Sequence, residues 1–203
     1  GTKSSGTGKV FFVAEFSRAF TYYGTFDASY ITPESKGSIW PYKNGESGKS
    51  IGAFVTYRTT DNEQIMIKVG ISYTGIEGAR KNLQKEIPDW DFDRVKNDAR
   101  DIWNKELKRV IIDGASNDQK EIFYTAVYHS LLAQYISQDV DGKYPGMDGK
   151  IHEAKGFDYY GSFSCWDTYR TEHPLLTLIA PEHVNDIVKS IQKEVWNLQI
   201  EPE

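Results

Sequence analysis

Apolar positions along this chain change period once, near residue 75. Val10-Phe11-Phe12-Val13-Ala14-Glu15-Phe16-Ser17 and Phe20-Thr21-Tyr22-Tyr23-Gly24-Thr25-Phe26 are short runs of β-branched and aromatic residues, which predict strands. Ile51 to Arg58 and Gln64 to Tyr73 predict two more, with Thr60-Asp61-Asn62-Glu63 between them as a hairpin turn. In the last of these, Ile65, Ile67, Val69 and Ile71 alternate with Gln64, Met66, Lys68 and Gly70. That alternation predicts an apolar face on a core and an opposite face in water. Ile31 to Ser50 holds two prolines and three glycines and reads as a loop, with Trp40-Pro41-Tyr42 its bulky content. Strands without intervening helical pattern predict an antiparallel sheet or sandwich, and so few of them imply further strands before Gly1.

Beyond Gly75 the period is 3.6. Phe92, Val95, Ala99, Ile102, Trp103, Leu107 and Val110 fall on one helical face, after Asp89 or Asp91 as a cap, with an end near Asp113-Gly114. Ser116-Asn117-Asp118-Gln119 has the form of a capping box, followed by a stripe of Ile122, Phe123, Ala126, Val127, Ser130 and Leu131. Residues 139 to 161 form a loop with five glycines. A helix is expected from about Ser162, bent by Pro174, and another from Pro181 with Val184, Ile187, Val188, Ile191, Val195 and Leu198 on its stripe. Each helix has one apolar face and needs partners.

Composition narrows the partners. Acidic and basic residues are interspersed and the net charge is −5, so no basic stripe offers phosphate neutralisation and nucleic acid is not an expected partner. No run of 18 or more apolar residues exists, so no helical membrane span is expected. The single cysteine, Cys165, excludes an internal disulfide framework and reads as a small buried hydrophobe.

Candidate chemistry concentrates in Ser162-Phe163-Ser164-Cys165-Trp166-Asp167-Thr168-Tyr169-Arg170-Thr171-Glu172-His173-Pro174-Leu175-Leu176. On a continuous helix Trp166 and Arg170 share a face, and Asp167 lies within reach of Arg170. An indole covers the C–H face of a pyranose, while an oriented carboxylate and a guanidinium take its hydroxyls. Packing around a buried Trp with a structural ion pair accounts for the same residues, and both readings stand. Glu172 falls on a different face and reads as solvated surface, and His129 as a structural histidine. Asp139-x-Asp141-Gly142 with Asp148 invites a calcium reading, but Lys143 and Tyr144 occupy positions where an EF-hand needs a ligand and a glycine. A solvated turn and the mouth of a sugar pocket, with Tyr144 offering a ring, remain beside it.

The blocks Phe123 to Leu132, Asp139 to Gly149 and Ser162 to Leu176 together resemble glycoside hydrolase family 92, the calcium-dependent exo-α-mannosidases, over roughly Asn117 to Ser190. The resemblance implies an α+β chain: part of an antiparallel β-sandwich followed by the first helices of an (α/α)6 toroid. Residues 1–75 would end the sandwich domain, 76–114 form a helical linker, and 115–203 start the catalytic domain. It further implies release of terminal α-linked mannose, α-1,2 first, from glycans by an inverting, calcium-assisted mechanism, outside the cytoplasm (secreted, periplasmic or at the cell surface). Substrate contacts are then expected from Trp166, Asp167, Arg170 and Tyr144. An inverting enzyme needs an acid and a base about 6.5–9.5 Å apart. The family motifs that supply them do not occur here, so the catalytic pair and most calcium ligands are expected in the remainder of the same polypeptide. The alternative is a non-catalytic carbohydrate-binding module with Trp40, Tyr42 and Tyr57 as platforms.

Overall fold

A computed structural model describes residues 2–5, 8–27, 38–41, 50–133, 135–161 and 163–198. Tyr42 and most of the 31–50 loop lie outside the described residues. In chain order the strands β1 (Thr2–Ser5), β2 (Gly8–Phe16), β3 (Tyr22–Asp27), β4 (Ser38–Pro41), β5 (Ile51–Thr56) and β6 (Ile67–Ser72) precede α1 (Ile76–Glu86), α2 (Phe92–Leu107) and α3 (Asn117–Ser130). Then come the short strands β7 (Tyr135–Ile136), β8 (Lys143–Pro145), β9 (Ile151–Glu153) and β10 (Tyr160–Gly161), and the helices α4 (Cys165–Thr168), α5 (Glu172–Ile179) and α6 (Pro181–Leu198). The class is α+β: β1–β6 precede the helices, and the short β7–β10 lie between α3 and α4. Two units result, one of residues 1–14 and 68–203, the other of residues 15–67.

In the second unit β3 is the central strand, antiparallel to β4 and β5. Phe26 stands directly opposite Gly52, and its ring lies where a Gly52 side chain would be. An aromatic covering a glycine across an antiparallel pair fills the groove that the missing side chain leaves. Tyr22 packs on Phe54 at 5.8 Å, and Phe16 on Tyr57 at 6.3 Å. The expected hairpin between β5 and β6 does not form. The turn is present, with Asn62 at φ 62° and Glu63 N–H donating to the Thr60 carbonyl at 3.2 Å. Its two flanking strands enter different sheets: β5 pairs with β3 along its whole length, and β6 pairs with β2.

On β6 the helix α1 covers the face that the alternation assigns to water. Ile67, Val69 and Ile71 are exposed, whereas Gly70 and Ser72 are buried. The cause is α1. A Cβ on Gly70 would stand 2.6 Å from Leu83 Cβ and run into the Ala79 carbonyl, so only a residue without a side chain lets the helix lie this close. Lys68, on the same face, caps the helix end by donating to the Ile87 carbonyl at 3.2 Å, with its ammonium 4.6 Å from the Trp90 ring.

Helix starts follow the sequence signals closely. Asp91 caps α2 by accepting from Arg94 N–H, and Ser116 and Gln119 form both halves of the capping box at α3. Helix α2 ends at Leu107, short of Asp113-Gly114: Lys108 N–H still bonds the Asn104 carbonyl four residues back, and Arg109 N–H then turns to the Glu106 carbonyl three residues back. On α3 the buried face centres on Phe123, Tyr124 and Val127 and leaves Ile122 and Ala126 exposed. Trp103 meets Tyr128 at 4.5 Å, joining α2 to α3. The helical core is Tyr160, Leu176, Ala180 and Ile187, with Leu131, Phe163, Ile179, Val184 and Ile191 packed against it.

Candidate sugar-binding site

The segment carrying Trp166 is a short helix, a break and a new helix. Pro174 is the reason. Its ring crowds the carbonyl four residues earlier and it donates no N–H, so a continuous helix through Arg170 to Leu175 is blocked. The chain instead stops α4 at Thr168 and restarts at Glu172, which puts Pro174 in the first turn of α5, where an N–H has no intrahelical partner anyway. The expected single helix bent at Pro174 is therefore two helices. Ser162, its expected start, lies outside the described residues.

This break separates the residues that one helix would have aligned. Trp166 is 79% exposed, and Cys165, expected to be buried, is exposed beside it. Asp167 is exposed and accepts a hydrogen bond from Ser164 Oγ, not from Arg170. Arg170 turns onto its neighbour, donating to Tyr169 Oη at 2.9 Å with its guanidinium 5.4 Å from the ring. Among the described residues, then, the Asp167–Arg170 pair is not made. Trp166 and Asp167 present an open ring and a carboxylate held at one oxygen.

Two further bonds stiffen this turn. Thr168 Oγ1 lies 3.2 Å from the Ser164 carbonyl and 2.8 Å from His173 Nε2. Ser164 and Thr168 were not singled out by pattern, although a hydroxyl three residues before an acid and another four residues after the first is a local signal for side-chain bonding within a turn.

Tyr144 sits elsewhere and cannot offer a ring. It is 2% exposed, stacked on Tyr159 at 3.7 Å and near-parallel to His152 at 5.8 Å. The Tyr159 hydroxyl in turn donates to Glu194 at 3.2 Å. Burial raises both the Tyr159 hydroxyl and the Glu194 carboxyl above their ordinary pKa values.

The 139–161 segment is built of hairpins rather than open loop, with β8 antiparallel to β9 and β10 antiparallel to β7. Asp139, Asp141 and Asp148, the acids of the calcium reading, go to separate sets of partners. Asp139, 3% exposed, accepts from Ser72 Oγ at 2.9 Å, Asn82 Nδ2 at 2.8 Å and Thr74 Oγ1. Asp141 pairs with Lys81 and Lys143, which hold its carboxyl below the usual range. Asp148 pairs with His152 at 3.0 Å. No group of three or more His, Cys, Asp or Glu able to hold a metal occurs among the described residues, so these donors do not fit calcium.

A cleft of about 260 Å³ lies apart from Trp166, walled by Ile102, Trp103, Leu131, Leu176 and Ile187 and edged by Glu106 and His183. Its polar edge is structural. Arg109 holds Glu106, contacts Glu182, and reaches the Ile179 carbonyl at 3.3 Å, capping the end of α5. The Arg109 bond keeps the Glu106 carboxyl below its usual pKa. Tyr160 Oη meets His183 Nδ1 at 3.0 Å, and burial pushes the Tyr160 hydroxyl up to about 12.

This order of elements, the strands β1–β6 and then the helices α1–α6 with short strands among them, matches one class of known proteins. The family model described as the glycosyl hydrolase family 92 catalytic domain matches residues 78–199, and that of its N-terminal domain matches residues 1–72. The chain belongs to glycosyl hydrolase family 92. An uncharacterized secreted glycosidase of Arthroderma benhamiae is 30% identical over 126 residues, which are 59% of this chain and 15% of that protein. An α-mannosidase of the family from Bacteroides thetaiotaomicron superposes with a TM-score of 0.79 at 30% identity, covering 96% of this chain and 25% of that one. The same enzyme in complex with mannoimidazole gives 0.77 at 29%, covering 96% and 25%. An inverting mannosidase of the family from that organism gives 0.78 at 27%, covering 91% and 24%. The chain thus spans about a quarter of the length of these solved relatives.

Proposed function

We propose that this chain is the segment of an exo-acting α-mannosidase where the sandwich passes into the toroid, and that Trp166 and Asp167 contact the terminal mannose. The observation that carries the reading is the open Trp166–Asp167 turn in a chain of family 92, one of whose relatives is solved with mannoimidazole. Trp166 lies against the C–H face of the ring, and Asp167 accepts mannose hydroxyls through the oxygen that Ser164 does not hold. Arg170, turned onto Tyr169, extends the polar rim and does not orient Asp167. The reaction is inverting, the acid and base that stand about 6.5–9.5 Å apart come from the rest of the polypeptide, and so do most of the calcium ligands. Glycans ending in α-1,2-linked mannose are the substrate class, outside the cytoplasm. No helix of the described residues is long and apolar enough to cross a membrane. The binding-module alternative gains no support from Tyr57, whose ring packs on Phe16.

The test is hydrolysis of an α-1,2-linked mannobiose and an aryl α-mannoside by the full-length polypeptide, as wild type and Asp167→Ala. Removing a charged hydrogen-bond partner of the substrate is expected to raise the barrier by at least about 2 kcal/mol, roughly thirtyfold in kcat/KM. Near-normal turnover of the variant removes Asp167 from the site.

A further inference from the structure

We propose that His173 and Thr168 are positioning residues that set the orientation of Asp167 through the backbone of the turn between them. The inference rests on the mannose reading of Asp167 and adds to it a relay formed by residues that do not touch the sugar. The Thr168 hydroxyl has one proton. Donating it to the Ser164 carbonyl at 3.2 Å leaves its lone pairs for the Nε2–H of His173 at 2.8 Å, so both contacts are satisfied at once with His173 as the Nε2–H tautomer. Ser164, held by its carbonyl, donates its own hydroxyl to Asp167 Oδ2. The path is therefore His173 Nε2–H to Thr168 Oγ1–H to the Ser164 carbonyl, and then from Ser164 Oγ–H to the Asp167 carboxylate.

Burial along this path runs in the right direction for a support. His173, Thr168 and Ser164 are half-buried, while Asp167 and Trp166 are exposed. The relay also crosses the break that Pro174 imposes. Helix α4 is only four residues long and has no side-chain cap, so its own backbone bonds hold it weakly. His173 belongs to α5, whose Leu176 lies in the helical core, and so ties the exposed turn to the packed part of the chain. Without that tie the Trp166–Asp167 turn rotates on a three-residue hinge, and an acid that must meet a hydroxyl within a few tenths of an ångström samples unproductive positions.

The experiment compares Thr168→Val, His173→Leu, their double variant, His173→Gln and Asp167→Ala in the full-length polypeptide. It measures kcat and KM on an aryl α-mannoside and binding of methyl α-mannoside. Thr168→Val keeps the shape and removes the hydroxyl. It is expected to weaken methyl α-mannoside binding roughly five- to tenfold, the size of one lost net hydrogen bond, with the thermal midpoint nearly unchanged. His173→Leu is expected to match it, the double variant to be no worse than either single one, and His173→Gln, which restores an N–H, to recover most of the affinity. If His173→Leu does not fold, Thr168→Val and His173→Gln carry the test. A damaging Asp167→Ala beside neutral Thr168→Val, or a double variant equal to the product of the singles, overturns the relay alone. A neutral Asp167→Ala overturns the mannose reading and the relay with it.

Discussion

Replacing Asp139 by alanine tests the joint that holds the 139–161 segment to the sheet. Its buried carboxylate gathers Ser72 from the end of β6, Thr74 from the following turn and Asn82 from α1. Asn82 also donates to the Ile71 carbonyl at 2.8 Å and accepts from Val140 N–H at 2.9 Å, so its amide is fixed from both sides. Gly78 makes room for this arrangement, since a Cβ there would stand 2.5 Å from Ser72 Oγ and 2.8 Å from Thr74 Oγ1. In Asp139→Ala the Thr74 hydroxyl can turn to Ser72, 3.2 Å away, but one Asn82 N–H and the Ser72 hydroxyl keep no acceptor. Two stranded buried donors at 1–3 kcal/mol each, less the relief of an unburied charge, come to about 3 kcal/mol. For a chain of 203 residues that corresponds to a fall of about 6–12 °C in Tm. Asp139→Asn should cost well under half as much, because its oxygen can still face Asn82 while its NH2 donates to hydroxyls that rotate to receive it. Thermal unfolding followed by circular dichroism decides the matter. A loss below about 2 °C for the alanine variant, or equal losses for alanine and asparagine, would refute the account of Asp139 as a satisfied buried anion.

Two other perturbations probe packing and pH. Gly70→Ala drives a methyl into Leu83 and the α1 backbone and should cost about 2 kcal/mol in urea unfolding, whereas an unchanged midpoint would mean that α1 can slide on β6. Glu194 has its folded pKa raised by burial, so its contribution is full below the unfolded pKa and is lost as pH rises through the folded value. Glu194→Gln, which can still accept from Tyr159, should therefore gain in Tm over the wild type as pH rises from about 4 to 7, and a difference that stays flat across that range contradicts the assignment.

Some features of this chain were decided within a few residues, and those are legible in the amino-acid order. The change from alternating to 3.6-residue spacing places β6 and α1 on either side of Gly75. Ser116 and Gln119 cap α3, and Pro181 opens α6, because hydrogen bonding and sterics at a helix start involve only the first turn. The Trp166–Asp167 block is equally local. Burial and pairing were settled by residues far along the chain. Ile67, Val69 and Ile71 spell a core face by alternation, yet α1 sits on the side of Gly70 and Ser72, since only there can a helix reach the strand. Strand β5 joins β3 and not β6 for the same kind of reason: a ladder forms with the partner the fold brings alongside, whatever the turn between neighbours favours. Asp139 reads as a loop acid until Ser72, Thr74 and Asn82 converge on it, and Tyr144 as a ring for a ligand until Tyr159 covers it. The turn of Asp167 toward Ser164 needed both scales. Pro174 breaks the helix locally, and the core under α5 then fixes where His173 and Thr168 can meet.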